Sequence, residues 1–328
     1  MDRPLRTRRL DRAPSRTGAV LTTLLTLLGL IAGCSTGSTG TGIASTVAST
    51  PSADVFPANI DVYGTTVHLD AKPTKIVVLG PALTETVFGV GAGAQVVAVD
   101  KLSDYPTDAP KTDLDAYQPN VEAIAAYGPD LVLTTYDADG SLVKGLTALK
   151  IPVALLPAPT DLDQAYAQFE LVGQLTGNTA AGQKLAGDTK TAIAAAVARV
   201  TTPAQPITYY WELGPELYSL NSKTFVGSIL AQFGLVNIAD KAPKAGGDYP
   251  QLSAEFVVDA DPDVIFLADT KCCQQSRTTV AKRSGWDVVR AVKDTDGIVP
   301  LDDDVASRWG PRITDLANAV AGALVKLG

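Results

Sequence analysis

The sequence predicts an α/β fold of two Rossmann-like lobes joined by one long, rigid helix, and three observations predict it. First, one motif is written twice: Asn120-Val-Glu122-Ala-Ile-Ala-Ala-Tyr-Gly-Pro129-Asp130-Leu-Val-Leu133 and Ser253-Ala-Glu255-Phe-Val-Val-Asp-Ala-Asp-Pro262-Asp263-Val-Ile-Phe266. Each copy runs from a Glu to a Pro-Asp pair and on into apolar residues. A second landmark keeps the same register: one apolar run ends in Gly80-Pro81 and another in Leu213-Gly214-Pro215. Landmarks repeated in step indicate two units of similar build. Second, short apolar runs alternate with short helical patterns in both halves, as parallel strands covered on both faces require. Third, a long Ala-rich segment at helical spacing separates the two series.

The elements follow in order. Ile60-Asp-Val-Tyr-Gly64-Thr-Thr-Val-His68-Leu69 alternates about a Gly turn and reads as a β-hairpin, ended by Lys72-Pro73. Ile76 to Leu79 is a short buried strand. Thr84 to Val90 is a helix, with Gly89, Gly91 and Gly93 about its end, and Val96 to Val99 is a second strand. Helix Val121 to Tyr127 leads to strand Leu131 to Thr134, and helix Leu142 to Leu149 leads to strand Val153 to Leu156. Leu162 to Leu175 is apolar at helical spacing. After a break at Gly177-Asn178, Thr179 to Val200 continues as a helix of about 33 Å, enough to cross from one lobe to the other. Thr201-Thr-Pro203-Ala-Gln-Pro206 stops it. The second series is strand Ile207 to Trp211, helix Phe225 to Phe233, helix Ala254 to Ala260, strand Val264 to Leu267, helix Gly285 to Ala291 and strand Ile298 to Leu301. A helix from Pro311 to Leu327 closes the chain.

The first residues read as an export signal. Arg3, Arg6, Arg8, Arg9, Arg12 and Arg16 precede an apolar stretch from Ala19 to Ala32, shorter than the ~20 residues a bilayer crossing needs. The stretch ends Leu30-Ile31-Ala32-Gly33-Cys34, which resembles the lipobox of bacterial lipoproteins. That resemblance implies a signal peptide over 1–33, cleavage before Cys34 and a lipid on its sulfur. Ser35 to Ala53 is almost wholly Ser, Thr, Gly and Ala, too poor in apolar surface to order itself. Residues 34–58 are therefore expected to be a flexible, lipid-anchored linker. The N-terminal lobe is expected over 59–161, the helical connector over 162–202 and the C-terminal lobe over 203–328. The whole chain carries a formal charge of −8, and removing the Arg-rich leader makes the remainder more acidic still. Such a body is a poor nucleic-acid binder. Cys272 and Cys273 are adjacent, and the sequence leaves open whether they are bridged or free.

Thr66-Val-His-Leu-Asp-Ala-Lys-Pro73-Thr-Lys-Ile-Val-Val-Leu79 resembles the opening of periplasmic-binding proteins of the iron-siderophore and vitamin B12 class. So do Pro81-Ala-Leu-Thr-Glu85, Ser103-Asp-Tyr-Pro106, the Glu-to-Pro-Asp repeats and Ala306-Ser-Arg-Trp-Gly-Pro-Arg312. The resemblance runs from about Ile60 to the end and is specific as an ordered set. It implies two α/β lobes on a helical backbone, a metal chelate held between them and no enzymatic chemistry. A corrinoid and a ferric siderophore are the leading ligands, with haem third; no cofactor of the protein's own is expected. The implied partners are an ABC permease dimer with its ATPase subunits and the membrane, reached through lipidated Cys34. The protein is expected as a monomer at the outer face of the cell membrane.

Within that frame Glu122 and Glu255, equivalent acids at two helix starts, are expected to dock on permease arginines, since carboxylate–guanidinium pairs give register as well as attraction. The ligand cleft is expected at the C-terminal ends of the strands, where open sheets bind ligands. It draws on Pro81, Ala82, Leu102, Tyr117 and Tyr136 from the first lobe. From the second it draws on Trp211, Tyr218, Tyr249, Asp304 and Arg308. Aromatics cover a flat macrocycle, and Arg308 suits an anionic or amide oxygen.

Other signals carry less. Gly89-Val-Gly91-Ala-Gly93 follows a helix rather than a strand and lacks the third Gly of a dinucleotide fingerprint. Consecutive residues Asp302, Asp303 and Asp304 point in different directions, a poor arrangement for one metal ion. The chain has one His and no Ser–His–Asp or Cys–His context, so hydrolase chemistry lacks support. An extracellular α/β enzyme acting on a small molecule and a chelate-sensing lipoprotein are the rival readings.

Overall fold

The computed structural model describes residues 54–201, 205–242 and 247–327. The expected signal peptide, Cys34 and most of the linker lie outside the described residues. Strands β1 (Ala58–Val62) and β2 (Thr65–Leu69) form the antiparallel hairpin, with Val62 opposite Thr65 across Tyr63 and Gly64. Then come β3 (Ile76–Leu79), α1 (Pro81–Gly89), β4 (Val96–Val99), α2 (Val121–Ala125), β5 (Leu131–Thr134), α3 (Ser141–Ala148) and β6 (Val153–Leu155). The four strands are parallel, in the order β4-β3-β5-β6. Their residues alternate between two cores. Ile76, Val78, Leu131 and Leu133 join one cluster, while Val77, Leu79 and Val132 join the other. Both faces are covered, which is why these strands read as unbroken apolar runs.

Helices α4 (Leu162–Thr176) and α5 (Thr179–Ala198) follow, reversed on each other at Gly177 and Asn178. A Cβ on Gly182 would sit 2.8 Å from the Phe169 carbonyl and 3.0 Å from the Gly173 Cα, so only glycine lets the helices approach this closely. The connection is thus a tight helical hairpin in which α5 makes the crossing. Its 20 residues span about 30 Å. In α4, Tyr166 and Phe169 pack into the second lobe's core while Val172 and Leu175 pack into the first lobe's. In α5, Ile193 and Ala196 belong to the second core, and Ala181 packs on the first. Each helix is anchored at both ends in a different core, which makes the link a strut rather than a flexible hinge.

The second lobe repeats the plan. It runs β7 (Thr208–Glu212), α6 (Phe225–Gln232), β8 (Val236–Asn237), α7 (Ala254–Ala260), β9 (Val264–Leu267), α8 (Arg277–Ala281), α9 (Arg290–Lys293), β10 (Ile298–Pro300), α10 (Asp303–Ser307) and α11 (Ile313–Leu327). The sheet order β10-β9-β7-β8 is the first lobe's order, and all pairings are again parallel. In place of a single helix over Gly285 to Ala291 stand a 3₁₀ turn, Trp286–Val288, and α9. Strand β8, with two residues, and the five-residue helices α8 and α10 are too short to show a period in sequence.

The Pro-Asp half of the repeat brackets the sheet. Asp130 accepts from the Thr74 N–H and hydroxyl at 2.8 and 2.9 Å and from the Lys75 N–H at 2.9 Å. Asp263 accepts from the Thr208 N–H and hydroxyl, both at 2.8 Å. Each aspartate, at the foot of a lobe's third strand, thereby ties down the foot of its first strand. Asp263→Ala is expected to leave the Thr208 donors and Arg290 short of an acceptor and to cost about 2–3 kcal/mol. Chemical denaturation checks this; an unchanged midpoint would remove the bracket from the fold's supports.

Candidate ligand cleft between the lobes

In a parallel sheet all strand C-termini lie along one edge, and the loops beyond that edge form the site. Strand β3 ends at Gly80, whose φ of 132° and contact with Thr135 exclude a side chain: a Cβ would lie 2.8 Å from the Thr135 methyl. Gly80 donates its N–H to Asp100 at 2.7 Å. Buried Asp100 also accepts from the Leu102 N–H at 2.9 Å and the Ser103 hydroxyl at 2.6 Å. One carboxylate therefore sets the loop before Pro81 and the loop carrying Leu102, both of which line the cleft.

The cleft is a cavity of about 480 Å³. Pro81, Ala82, Leu102 and Tyr117 form its first-lobe wall, and Asp304 and Arg308 reach it from α10. Six of the ten residues singled out in the sequence therefore meet there. Tyr136 stands at the rim with its ring 5.7 Å from that of Tyr117. Tyr218 and Tyr249 are half exposed on paired segments of the second lobe, outside the cavity lining. Trp211 is a correction: it is fully buried. The strand period places it beside Tyr209 on the face of β7 that packs in the second core, not at the sheet's edge. The sequence reading missed Trp309, which lines the cavity with its indole N–H buried and unpartnered among the described residues. The Ala306-to-Arg312 run held that signal.

Arg308 dominates the electrostatics. From just past the end of α10 its guanidinium meets Asp304 of that helix at 2.6 Å, then crosses to the first lobe, meeting Asp104 at 2.7 Å and Glu85 at 3.3 Å. Arg312 meets the same buried Glu85 at 2.5 Å and lies 4.4 Å over the ring of Tyr105. Partial burial pushes the Asp104 carboxyl up, but Arg308 wins and holds it below the usual carboxylate range. Arg308 is thus already balanced by three acids; Lys101, paired with Asp115 at 2.6 Å, and Lys111 also line the cavity.

The matching edge of the second lobe is filled differently. Arg283 grips Glu212 bidentately, both contacts at 2.6 Å, and stacks 4.6 Å over Trp286. Asp269, fully buried beside Glu212, has no donor on either oxygen among the described residues. Burial first, then the Glu212 charge, pushes the Asp269 carboxyl up to about 7, so it keeps its proton below that pH.

Glu122 and Glu255 are both exposed in the first turns of α2 and α7, whose caps are Asn120 and Ser253. These helices run down into the feet of β5 and β9, so their first turns stand at the C-terminal edges of the two sheets, the edge that the cleft occupies in the first lobe. His68 lies on the hairpin, bonded to Asn59 at 2.7 Å and Asp70 at 3.0 Å.

Residues 76–300 match the family model described as periplasmic binding protein. A cobalamin-binding protein of Halobacterium salinarum is 31% identical over 80% of this chain and 72% of its own length. An uncharacterized ABC transporter substrate-binding lipoprotein of Bacillus subtilis is 26% identical over 83% and 86%. Among solved structures, a periplasmic vitamin B12 binding protein of Vibrio cholerae superposes with a TM-score of 0.63 at 25% identity, covering 78% of this chain and 98% of that one. A periplasmic heme-binding protein of Roseiflexus superposes with a TM-score of 0.67 at 25% identity, covering 77% and 98%.

The buried acid pair gives a pH prediction. The folded protein holds the Asp269 proton that the unfolded chain releases near 3.8. Stability therefore falls as pH rises through the window from about 4 to about 7, then levels. Asp269→Asn should flatten that slope and raise stability above pH 7 by roughly 1–3 kcal/mol. Denaturation midpoints from pH 4 to 8 test it; parallel profiles for both proteins would place the proton elsewhere.

Proposed function

The chain belongs to the periplasmic binding protein family, and from that premise we propose that it is the substrate-binding lipoprotein of an ABC importer. It captures a metal chelate, a corrinoid, between its lobes and delivers it unaltered to a membrane permease. Lipid-anchored at Cys34, it works as a monomer at the outer face of the membrane.

The observation that carries the ligand reading is the charge balance at Arg308. Three carboxylates neutralise it, two of them from the opposite lobe. A strongly anionic chelate, such as a ferric siderophore or haem with its propionates, is best met by several cations left free, and of the three that line the cavity Arg308 and Lys101 are already paired, which leaves Lys111. A corrinoid presents neutral carboxamides, which donate and accept at once. Arg308 and the Trp309 N–H supply donors, and Asp104 and Asp304 supply acceptors. Leu102, Tyr117 and the Tyr136 rim supply apolar and aromatic cover for a flat ring. The cobalamin-binding relative supports the same choice.

For delivery, one exposed acid per lobe, each at a strand C-terminal edge, suits a permease of two like subunits presenting guanidinium groups. Lipidation is supported by the Cys34 motif and by the lipoprotein relative.

Cyanocobalamin, haem and a ferric hydroxamate titrated separately should give tight binding for the first alone, and the recovered ligand should be chemically unchanged. Tighter binding of haem or the hydroxamate would overturn the corrinoid assignment, and a converted ligand would overturn the transport reading. Arg308→Ala should weaken cyanocobalamin binding by about 1–3 kcal/mol. The double variant Glu122→Arg/Glu255→Arg should abolish uptake in cells while leaving the dissociation constant unaltered; normal uptake would remove the docking role.

A further inference from the structure

The three acids after β10 do three different jobs. Asp302 accepts from the Asp304 N–H at 2.9 Å and the Val305 N–H at 3.3 Å, starting α10. Asp304 holds Arg308 at 2.6 Å. Asp303 turns away from the cleft toward the loop after β9. It accepts from the Thr270 hydroxyl at 2.9 Å, the Lys271 N–H at 3.0 Å and the Cys272 N–H at 2.9 Å. Partial burial pushes the Asp303 carboxyl up, but the Cys272 and Lys271 N–H groups hold it below the usual range. The ammonium of Lys271 spans Asp302 at 2.8 Å and Asp304 at 2.7 Å. Every acid that starts or equips α10 is thus held, directly or through its helix, by residues 270–272.

That loop is closed on itself. Cys272 and Cys273 are joined by a disulfide. The Cys273 N–H, within the joined peptide, and the Gln275 N–H beyond it both return to the Asp269 carbonyl at 3.3 Å. A disulfide between neighbouring residues closes a small ring through the peptide between them and removes backbone freedom there. The ring fixes the peptide between the two cysteines, whose N–H returns to Asp269, and so braces the loop from which the Cys272 N–H, just outside the ring, reaches Asp303.

We propose that the Cys272–Cys273 turn is the positioning element of the ligand cleft. The ring braces the loop that offers its backbone donors to Asp303, Asp303 seats α10, and α10 presents Asp304 and Arg308. The inference rests on the proposed function in one respect, that Arg308 meets the ligand. It makes affinity depend on the oxidation state of the cysteines. Opening the ring breaks the S–S bond and takes up two electrons and two protons, supplied by a dithiol that leaves as its own disulfide; two thiols remain. Cys272 is exposed, so a reagent reaches it.

The test compares the wild-type full-length chain, Cys272→Ser/Cys273→Ser, Arg308→Ala and the triple variant. The readouts are cyanocobalamin affinity and amide hydrogen exchange. In the double serine variant, protection at the Asp304, Val305 and Ala306 amides should fall about tenfold, and cyanocobalamin binding should weaken about fivefold. In the Arg308→Ala background, opening the ring should weaken binding by clearly less than fivefold, since only Asp304 is left for α10 to present. Unchanged α10 protection, or equal weakening in both backgrounds, would overturn the proposal. If the wild type does not bind cyanocobalamin, the corrinoid reading fails, and exchange at α10 still decides the positioning role. If the serine variant does not fold, opening the wild-type disulfide with dithiothreitol and following the same amides reads the same linkage. Lost α10 protection there supports it, and full protection overturns it.

Discussion

Arg308 reaches from the end of α10 across the cleft to Glu85 and Asp104, so one of the cations that line the ligand space also ties its two walls. Taking charges out of water is costly, and burial alone would penalise Glu85 and the arginines. The arrangement compensates by geometry. Glu85 receives two guanidinium groups, and Arg308 receives three carboxylates. A ligand that draws on Arg308 competes with acids already in place. Affinity is then a difference between two sets of hydrogen bonds, which favours ligands whose polar groups match the geometry over ligands that bring only charge.

The internal repeat is a repeat of scaffold, not of site. Asp130 and Asp263 tie the feet of equivalent strands in the two lobes by the same bonds to a threonine N–H and hydroxyl. At the opposite edge the lobes diverge. In the first lobe Gly80 leaves room beside Thr135, and the cleft opens there. In the second, Glu212, Asp269 and Arg283 fill the equivalent edge with a buried ionic cluster. The second lobe therefore contributes to the cleft mainly through α10 and the residues after it. Asp304 sits in the first turn of that short helix and Arg308 caps its far end in extended backbone, from where its guanidinium turns back to Asp304 at 2.6 Å.

The link between lobes explains why the walls need a tie that is chemical rather than mechanical. Helices α4 and α5 each end in both cores, and their close approach at Gly173 and Gly182 leaves little play. A strut of this kind permits small displacements of the walls, of the size that exchanging a few hydrogen bonds at Arg308 and Glu85 can drive.

The sequence by itself determined the two-lobed parallel α/β plan, because the apolar runs of Ile76–Leu79, Leu131–Thr134 and Val264–Leu267 have only one way to be buried on both faces. It also determined the strut, from helical spacing on either side of Gly177-Asn178, and it singled out Arg308 and Asp304 as cleft residues. Tertiary structure decided what local pattern does not encode. Trp211 belongs to the core because strand parity, fixed by sheet packing, turns it inward. Trp309 belongs to the cleft because α10, too short to announce itself, aims the chain there. Arg308 proved to be paired across the cleft with Glu85 and Asp104, residues more than two hundred positions away. Cys272 and Cys273, ambiguous as neighbours in a string, proved joined and seated against Asp303. Sequence reports periodicity and residue type, which short-range forces read directly. Pairings between distant charges follow only once the folded sheets have set the distances.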